Sequence, residues 1–198
     1  MATTMPPDAF GLADPRPQKR AQVAPNTATG QARVQAARTA LEAVMDPEIP
    51  VINLRELGVL RDVTLNHDTL QVTITPTYAG CPAMAQMRED IEVALHNNGL
   101  SPFEVRTVLS PAWTTDWMSA STHDKLRAYG IAPPAHLSAE ATNTPQPIRW
   151  HSLPQATPAC PQCASPLTTL IAQSGSTACK ALYRCLQCSE PFDYFKPY

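Results

Sequence analysis

Tyr78-Ala79-Gly80-Cys81-Pro82-Ala83-Met84 is the segment in which a predicted strand leads into a predicted helix. Gly80 permits a sharp turn, and Pro82 suits the first position of a helix, where its missing N–H has no helical partner. The apolar residues that follow keep helical spacing, which predicts a helix over residues 82–98. Cys81 is then expected at the N-cap, where the helix dipole and unpaired backbone N–H groups favour the thiolate.

Two interpretations of Cys81 remain open at this point. It is either a thiol that binds a metal ion or an electrophile, or a small buried side chain packed under the sheet. The earlier turn Asp46-Pro47-Glu48-Ile49-Pro50 carries two carboxylates that are able to act as acid–base groups or as ligands. Spacing alone favours simple turn chemistry, in which Asp46 accepts hydrogen bonds from nearby backbone N–H groups.

Outward from this segment, periodicity predicts a compact α+β domain in the order α-β-β-α-β-α. The other helices are predicted at 31–45 and 121–129, and the strands at 59–65, 70–75 and 103–109. Pro47 is expected to end the first helix, and a Ser121-to-Asp124 capping box to begin the last. Trp113 and Trp117 lie in the loop before that last helix. They either cover the edge of the core or form an apolar docking surface beside Cys81.

Composition shifts divide the chain into four parts. Residues 1–29 are rich in Pro, Ala, Thr and Gln and are predicted to be a disordered tail. Residues 30–130 are the α+β domain, and the proline-rich residues 131–157 are predicted to be a semi-rigid linker. Residues 158–198 are predicted to form a small metal-dependent module.

This last module carries two Cys-x-x-Cys pairs. Cys160 and Cys163 form the first pair, and Cys185 and Cys188 the second. Two such turns place four thiolates around one ion, as in a zinc ribbon, and leave no open position for catalysis. Zinc is expected, with iron as the competitor for the same four sulfurs. Cys179 is left over, either as an interior residue or as an alternative ligand that competes with Cys185.

Charge and hydropathy narrow the classes of partner. Fifteen Lys and Arg residues stand against 17 Asp and Glu residues, and the formal charge is −2. This balance gives no basic excess for nucleic acid or for an anionic membrane. No transmembrane run or signal-type start is found in the sequence, so a cytoplasmic location is expected.

Several strings of the chain resemble the D subunits of ring-1,2-phenylacetyl-CoA epoxidase systems, and the front domain alone resembles the SufT-like iron–sulfur assembly family. The likeness runs from about residue 31 to the end of the chain. The strings are Asp46-Pro47-Glu48-Ile49-Pro50-Val51, Thr75-Pro76-Thr77-Tyr78-Ala79-Gly80-Cys81-Pro82, Pro111-Ala112-Trp113-Thr114-Thr115-Asp116-Trp117-Met118, Gly175-Ser176-Thr177-Ala178-Cys179-Lys180-Ala181-Leu182-Tyr183-Arg184-Cys185 and Glu190-Pro191-Phe192-Asp193-Tyr194-Phe195-Lys196.

The resemblance implies an accessory factor of aerobic phenylacetate catabolism, without catalytic residues of its own. Its partners would be the di-iron oxygenase subunit and the reductase subunit, which carries flavin and a [2Fe–2S] cluster. Cys81 becomes a ligand of transient iron or of an iron–sulfur cluster, with Asp46, Glu48 and Thr77 lining the same site. The four paired cysteines become structural ligands.

Alternatives to this interpretation stay open. One is a redox-active thiol or a catalytic subunit of the epoxidase; another is a zinc-ribbon module that binds nucleic acid or protein. One cysteine is too few to hold a cluster alone, which implies a homodimer or a borrowed ligand. Members of the resembling family end with a cysteine where this chain has Pro197. A scheme in which that thiol works with Cys179 is therefore not carried over.

Overall fold

The computed structural model describes residues 27–135 and 157–198. The predicted tail up to residue 26 and the linker residues 136–156 lie outside the described residues. The helices are α1 (Thr27–Leu41), α2 (Met84–Asn97) and α3 (Ala120–Ala128), with a short 3₁₀ helix at Thr115–Trp117. The strands are β1 (Leu60–Asn66), β2 (Thr69–Ile74), β3 (Phe103–Thr107), β4 (Ile131–Ala132), β5 (Thr168–Ala172), β6 (Lys180–Cys185) and β7 (Pro191–Phe195). The predicted α+β class is confirmed.

The front domain has a three-stranded sheet in the order β1-β2-β3. The predicted hairpin is confirmed: Asn66 pairs with Thr69 in antiparallel register, and His67 takes a positive φ of 53° in the tight turn between them. β3 then lies parallel to β2, because α2 supplies the crossover that a parallel pair needs. This connection places the start of α2, with Cys81 just before it, at the end of β2.

α1 and α3 differ from the sequence prediction at their ends. α1 begins at Thr27, so the last residues of the predicted tail, 27–29, are helical, and it ends at Leu41, before the predicted end, because the backbone beyond it pairs elsewhere. The Leu54 N–H donates to the Val44 carbonyl over 3.0 Å, and the Asp46 N–H donates to the Ile52 carbonyl over 2.8 Å. α3 is capped by Ser119 rather than Ser121, since the Ser119 hydroxyl accepts from the Thr122 N–H at 3.2 Å.

The C-terminal residues form a second sheet in the order β4-β7-β6-β5. β4 comes from Ile131 and Ala132, which were predicted to begin the linker, and pairs in parallel with β7. Both residues are buried, so the chain leaving α3 is built into the ribbon sheet before it reaches the part outside the described residues. The physical reason is that an apolar pair next to an open strand edge gains both backbone hydrogen bonds and burial.

The front domain and the ribbon share one apolar core. Phe195 and Cys179 of the ribbon belong to the same buried cluster as the residues under the front sheet. Trp113 lies at the junction, with its ring centroid 6.0 Å from that of Phe195 and 6.0 Å from that of Tyr198. Its indole N–H donates to the Leu57 carbonyl at 3.1 Å. Within residues 27–135 and 157–198, no helix has the length and apolar character needed to cross a membrane.

Candidate functional site

Cys81 lies one turn ahead of α2 rather than at its N-cap. Pro82 and Ala83 form a turn, Ala83 is the N-cap, and the Met84 N–H donates to the Cys81 carbonyl at 3.4 Å. Gly80 makes the preceding bend with a φ of 93°, which a residue with a side chain rarely adopts. The predicted capping position of Cys81 is therefore wrong, and its side chain is half-buried in the loop before the helix.

The electrostatic setting of Cys81 is also the reverse of the expected one. Burial raises the pKa of the Cys81 thiol, and the Ala83 N–H hydrogen bond opposes this only in part. The negative charges of Glu48 and Asp46 raise the pKa further. The expectation that helix geometry favours the thiolate is thus wrong. Burial and the two nearby carboxylates raise the pKa of the thiol by more than the N-terminus of α2, which begins after the sulfur, lowers it.

Asp46 organises the turn that brings the carboxylates to this loop. Its Oδ1 accepts from the Glu48 N–H at 2.9 Å and from the Ile49 N–H at 2.7 Å, and the residue is only 3% exposed. Burial raises the pKa of Asp46, while these two hydrogen bonds lower it. Asp46 therefore performs the turn chemistry that spacing favoured, and Glu48 supplies the carboxylate that reaches outward from the turn.

Tyr78 and Thr77 complete the front part of the site. Thr77 is buried, and the half-buried Tyr78 interacts through its hydroxyl with the Cys81 sulfur. Burial raises the pKa of Tyr78, and the neighbouring Cys81, Cys179 and Glu48 add to this rise. The structure thus brings together three of the predicted residues, Asp46, Glu48 and Cys81, and places Thr77 in the same loop as Cys81.

Cys179 is the functional candidate that spacing did not identify. Its Sγ lies 3.9 Å from Glu48 Oε2 and 2.9 Å from Thr177 Oγ1, and the residue is 5% exposed. It is absent from the group of four ribbon sulfurs, so the alternative in which it competes with Cys185 is wrong. In the sequence, only the family-like segment 175–185 drew attention to Cys179, because no local spacing relates this position to the front domain.

A buried cation lies beside this cluster. Lys180 is 4% exposed, and its Nζ is 3.7 Å from Asp193 Oδ2. Its charge lowers the pKa of both Asp46 and Cys179, against the larger effect of burial. The cluster therefore combines carboxylates and thiols with one buried positive charge, which partly balances the negative charge of the carboxylates.

Of the two alternatives for the tryptophans, the structure supports the first for Trp113, which covers the edge of the core. Trp113 is 5% exposed and packs against the ribbon of its own chain. Trp117 is half-buried, with the guanidinium carbon of Arg61 3.2 Å from its ring centroid. The interpretation of Trp113 as an external docking residue is thus wrong, because its apolar surface is used inside the chain.

The four paired cysteines converge as a tetrahedral thiolate site requires. All four Sγ atoms lie within 4.8 Å of one another, with 3.7 Å between Cys160 and Cys188 and 3.5 Å between Cys163 and Cys185. A tetrahedral zinc ion with Zn–S bonds near 2.3 Å would need about 3.8 Å between sulfurs, so these residues fit a metal ion.

Backbone N–H groups support the same site. The N–H groups of Gln187 and Cys188 donate to the Cys185 sulfur at 3.4 and 3.5 Å. The hydrogen bond from Cys188, followed by that from Gln187, lowers the pKa of Cys185 to about 6 despite its burial. A thiolate stabilised before a metal ion binds is the form that the ion requires.

Two protein families match separate parts of the chain. The family described as "PaaD zinc beta ribbon domain" matches residues 144–196. The family described as "Iron-sulfur cluster assembly protein" matches residues 34–109. The first match contains the four ribbon cysteines and Cys179, and the second contains Asp46, Glu48 and Cys81.

Known proteins resemble the chain over most of its length or over the front domain. A protein of Escherichia coli (strain K12), assigned as the D subunit of a 1,2-phenylacetyl-CoA epoxidase, is 48% identical over 79% of this chain and 88% of its own. The Fe-S protein maturation auxiliary factor YitW of Bacillus subtilis (strain 168) is 38% identical over 40% of this chain and 79% of its own. The crystal structure of a DUF59 domain from Bacillus anthracis is 31% identical, covering 51% of this chain and 97% of that one, with a TM-score of 0.47.

Proposed function

The chain belongs to the family of phenylacetyl-CoA epoxidase D subunits, and from this premise we propose that it is an accessory protein that delivers iron or an iron–sulfur cluster to the epoxidase. Its proposed clients are the metal-containing oxygenase and reductase subunits. The iron or cluster is cargo in this scheme, and the oxygenation itself belongs to the client.

The observation that carries this proposal is the grouping of Cys81, in the loop before α2, with Glu48, in the turn that Asp46 organises. The two elements combine a thiol and a carboxylate, which iron accepts as ligands, and the half-buried Cys81 is accessible enough for exchange with a partner. The likeness of the front domain to Fe-S protein maturation auxiliary factors supports the same role.

For the ribbon we propose a resident zinc ion with a structural role. Cys160, Cys163, Cys185 and Cys188 would hold it and leave no open coordination position. Bound zinc would supply folding energy, of about 10–16 kcal/mol in small modules of this kind. A module of about forty residues builds only a small apolar core, so this energy would hold the sheet, and with it Cys179, against the front domain.

Co-expression with the epoxidase subunits tests the proposed delivery. Wild type, Cys81→Ser and the matched loop control Ala79→Ser are each produced with the oxygenase and reductase, which are then isolated anaerobically. We expect the Cys81→Ser strain to yield a client with reduced iron or [2Fe–2S] content, measured by metal analysis and by absorption. The Ala79→Ser strain should match wild type, because that exposed residue leaves the thiol in place.

Normal metal content in the clients from the Cys81→Ser strain would refute the proposal. The variant itself is checked by its ribbon metal content and thermal unfolding, which should equal those of wild type. Which of the two clients loses metal identifies the one that the chain serves.

A further inference from the structure

Cys179 is a buried thiol in the ribbon that lies against the front domain. A cysteine that serves only to fill a core is surrounded by apolar side chains. Cys179 belongs to the apolar cluster shared with the front domain, but its Sγ atom also has a carboxylate oxygen of Glu48 at 3.9 Å and the Thr177 hydroxyl at 2.9 Å. These are polar neighbours for a buried sulfur, and they suit a group that binds a ligand better than one that only packs.

Cys81 and Cys179 share the same neighbours. The carboxylates of Glu48 and Asp46 act on the pKa of both thiols, and Tyr78 and Tyr198 each respond to both sulfurs. The two thiols therefore lie near the same carboxylates and tyrosines, although they come from different parts of the chain. One comes from the loop before α2, and the other from the start of the ribbon strand β6.

The position of Cys179 is held by the docked ribbon. The Lys196 N–H donates to the Cys179 carbonyl at 3.0 Å, which ties it to the chain just after β7. That chain end is fixed to the front domain in turn, because the Thr115 N–H donates to the Tyr198 carbonyl at 3.3 Å and the Tyr198 ring packs on Trp113. Cys179 thus faces the front domain in a defined place.

From this geometry we infer that Cys179 is the second thiol ligand of the cargo site, so that one chain holds the iron ion or cluster between Cys81 and Cys179 with Glu48 as the adjacent carboxylate. This inference rests on the proposed function. It answers the shortage of ligands that one cysteine per front domain implies, and it requires no second copy of the chain. Coordination moves no electrons: each thiol releases its proton to solvent as its sulfur binds the metal.

The buried Lys180 fits this arrangement. Two thiolates and a carboxylate in a partly buried site carry an excess of negative charge, even around a divalent ion. Lys180 is the residue after Cys179, and its charge already acts on Cys179 and Asp46. It compensates part of that excess and remains a positioning residue, since it has no free pair to offer a metal while protonated.

Cobalt titration of the full chain tests the second thiol. The ribbon is first filled with zinc, and Co²⁺ is then added anaerobically as the probe, with sulfur-to-cobalt absorption as the readout. Wild type should bind one further cobalt ion with an absorption band of two thiolates. Cys179→Ser should lose about half of that band and bind cobalt at least about tenfold more weakly, as Cys81→Ser should also. Ser176→Ala, a change in the same loop that contacts Asp193 rather than the thiol, should behave as wild type.

A full band in Cys179→Ser, or no cobalt beyond the ribbon site in wild type, would overturn the inference. The first result leaves the proposed delivery standing, because that proposal depends on Cys81 and is read from the metal content of the clients. The two failures are therefore distinguishable.

A second measurement does not depend on a variant that folds. Phenylarsonous acid joins two neighbouring thiols, replacing its two hydroxyl groups with two As–S bonds and releasing two water molecules. Applied to the zinc-loaded wild-type chain, it should bridge Cys81 and Cys179 in a peptide pair found by mass spectrometry. An arsenical attached to Cys81 without Cys179 would contradict the shared site.

Discussion

The Cys179 sulfur lies 3.9 Å from the Oε2 atom of Glu48, although the two residues are 131 positions apart. One belongs to the ribbon and the other to a turn of the front domain. Their contact means that the ribbon lies against the turn that carries Glu48 in the domain that precedes it. Disruption of the ribbon structure should therefore also change the environment of residues in the front domain, and the first prediction follows from this.

Removing the ribbon metal should expose Trp113. Without its ion the ribbon loses most of its folding energy, and Phe195 and Tyr198 then no longer cover the indole. We expect chelation, or the change Cys185→Ser, to shift tryptophan fluorescence to longer wavelength. The same treatment of Trp113→Phe should give a much smaller shift, since that variant lacks the indole against which Phe195 and Tyr198 pack. An unchanged spectrum after complete metal removal would show that the ribbon does not depend on its ion.

Trp113→Ala should be strongly destabilising. The side chain is 5% exposed, contacts both parts of the chain and donates to the Leu57 carbonyl. Truncation of such a residue costs about 3–5 kcal/mol, which urea unfolding measures. Trp117→Ala is the matched control and should cost less, because Trp117 is only half-buried. Equal losses in the two variants would contradict the central position given to Trp113.

Gly58→Ala should reduce stability by more than Gly99→Ala. Both glycines have positive φ, 80° and 66°, so each substitution strains the backbone by about 1 kcal/mol or more. At Gly58 the added Cβ would also lie 2.9 Å from the Cβ of Trp117, whereas at Gly99 nothing lies within 4 Å. Thermal unfolding of the two variants separates strain from steric overlap. A larger loss of stability in Gly99→Ala than in Gly58→Ala would contradict the close contact between position 58 and Trp117.

The Glu56–Lys125 ion pair should give a small, pH-dependent contribution to stability. Burial tends to raise the pKa of Glu56, but the Lys125 hydrogen bond at 2.6 Å, the Asn53 N–H and the Lys125 charge lower it overall. A depressed folded pKa stabilises above the unfolded value of 4.5, and this stability is lost as the pH falls through the folded pKa.

Glu56→Gln should therefore be less stable than wild type at pH 7 by under about 1 kcal/mol, since the pair is partly exposed. The difference should shrink in urea unfolding at a pH below the folded pKa, and Lys125→Met should show the same trend. A difference that does not change with pH would exclude the ion pair as its source.

Much of the architecture follows from local patterns. The β1–β2 hairpin follows from β-branched runs around a polar turn, and the two cysteine pairs were recognisable from spacing because two-residue gaps bring both sulfurs of a turn to one ion. Helix ends were less predictable. Ser119 rather than Ser121 caps α3, and Cys81 precedes α2 by a turn, because competing hydrogen bonds within a few residues decide the exact start.

By itself, the sequence determined the order of the elements, the four-sulfur centre and the presence of Asp46, Glu48 and Cys81 in loops of the front domain. Only the tertiary structure decided that Ile131 and Ala132 join the ribbon sheet, that Trp113 is covered by Phe195, and that Cys179 faces Glu48. The reason is physical: periodicity and turn chemistry are set by hydrogen bonds between near neighbours in the chain. The docking of two modules depends instead on how well distant apolar surfaces fit each other, which no local pattern records.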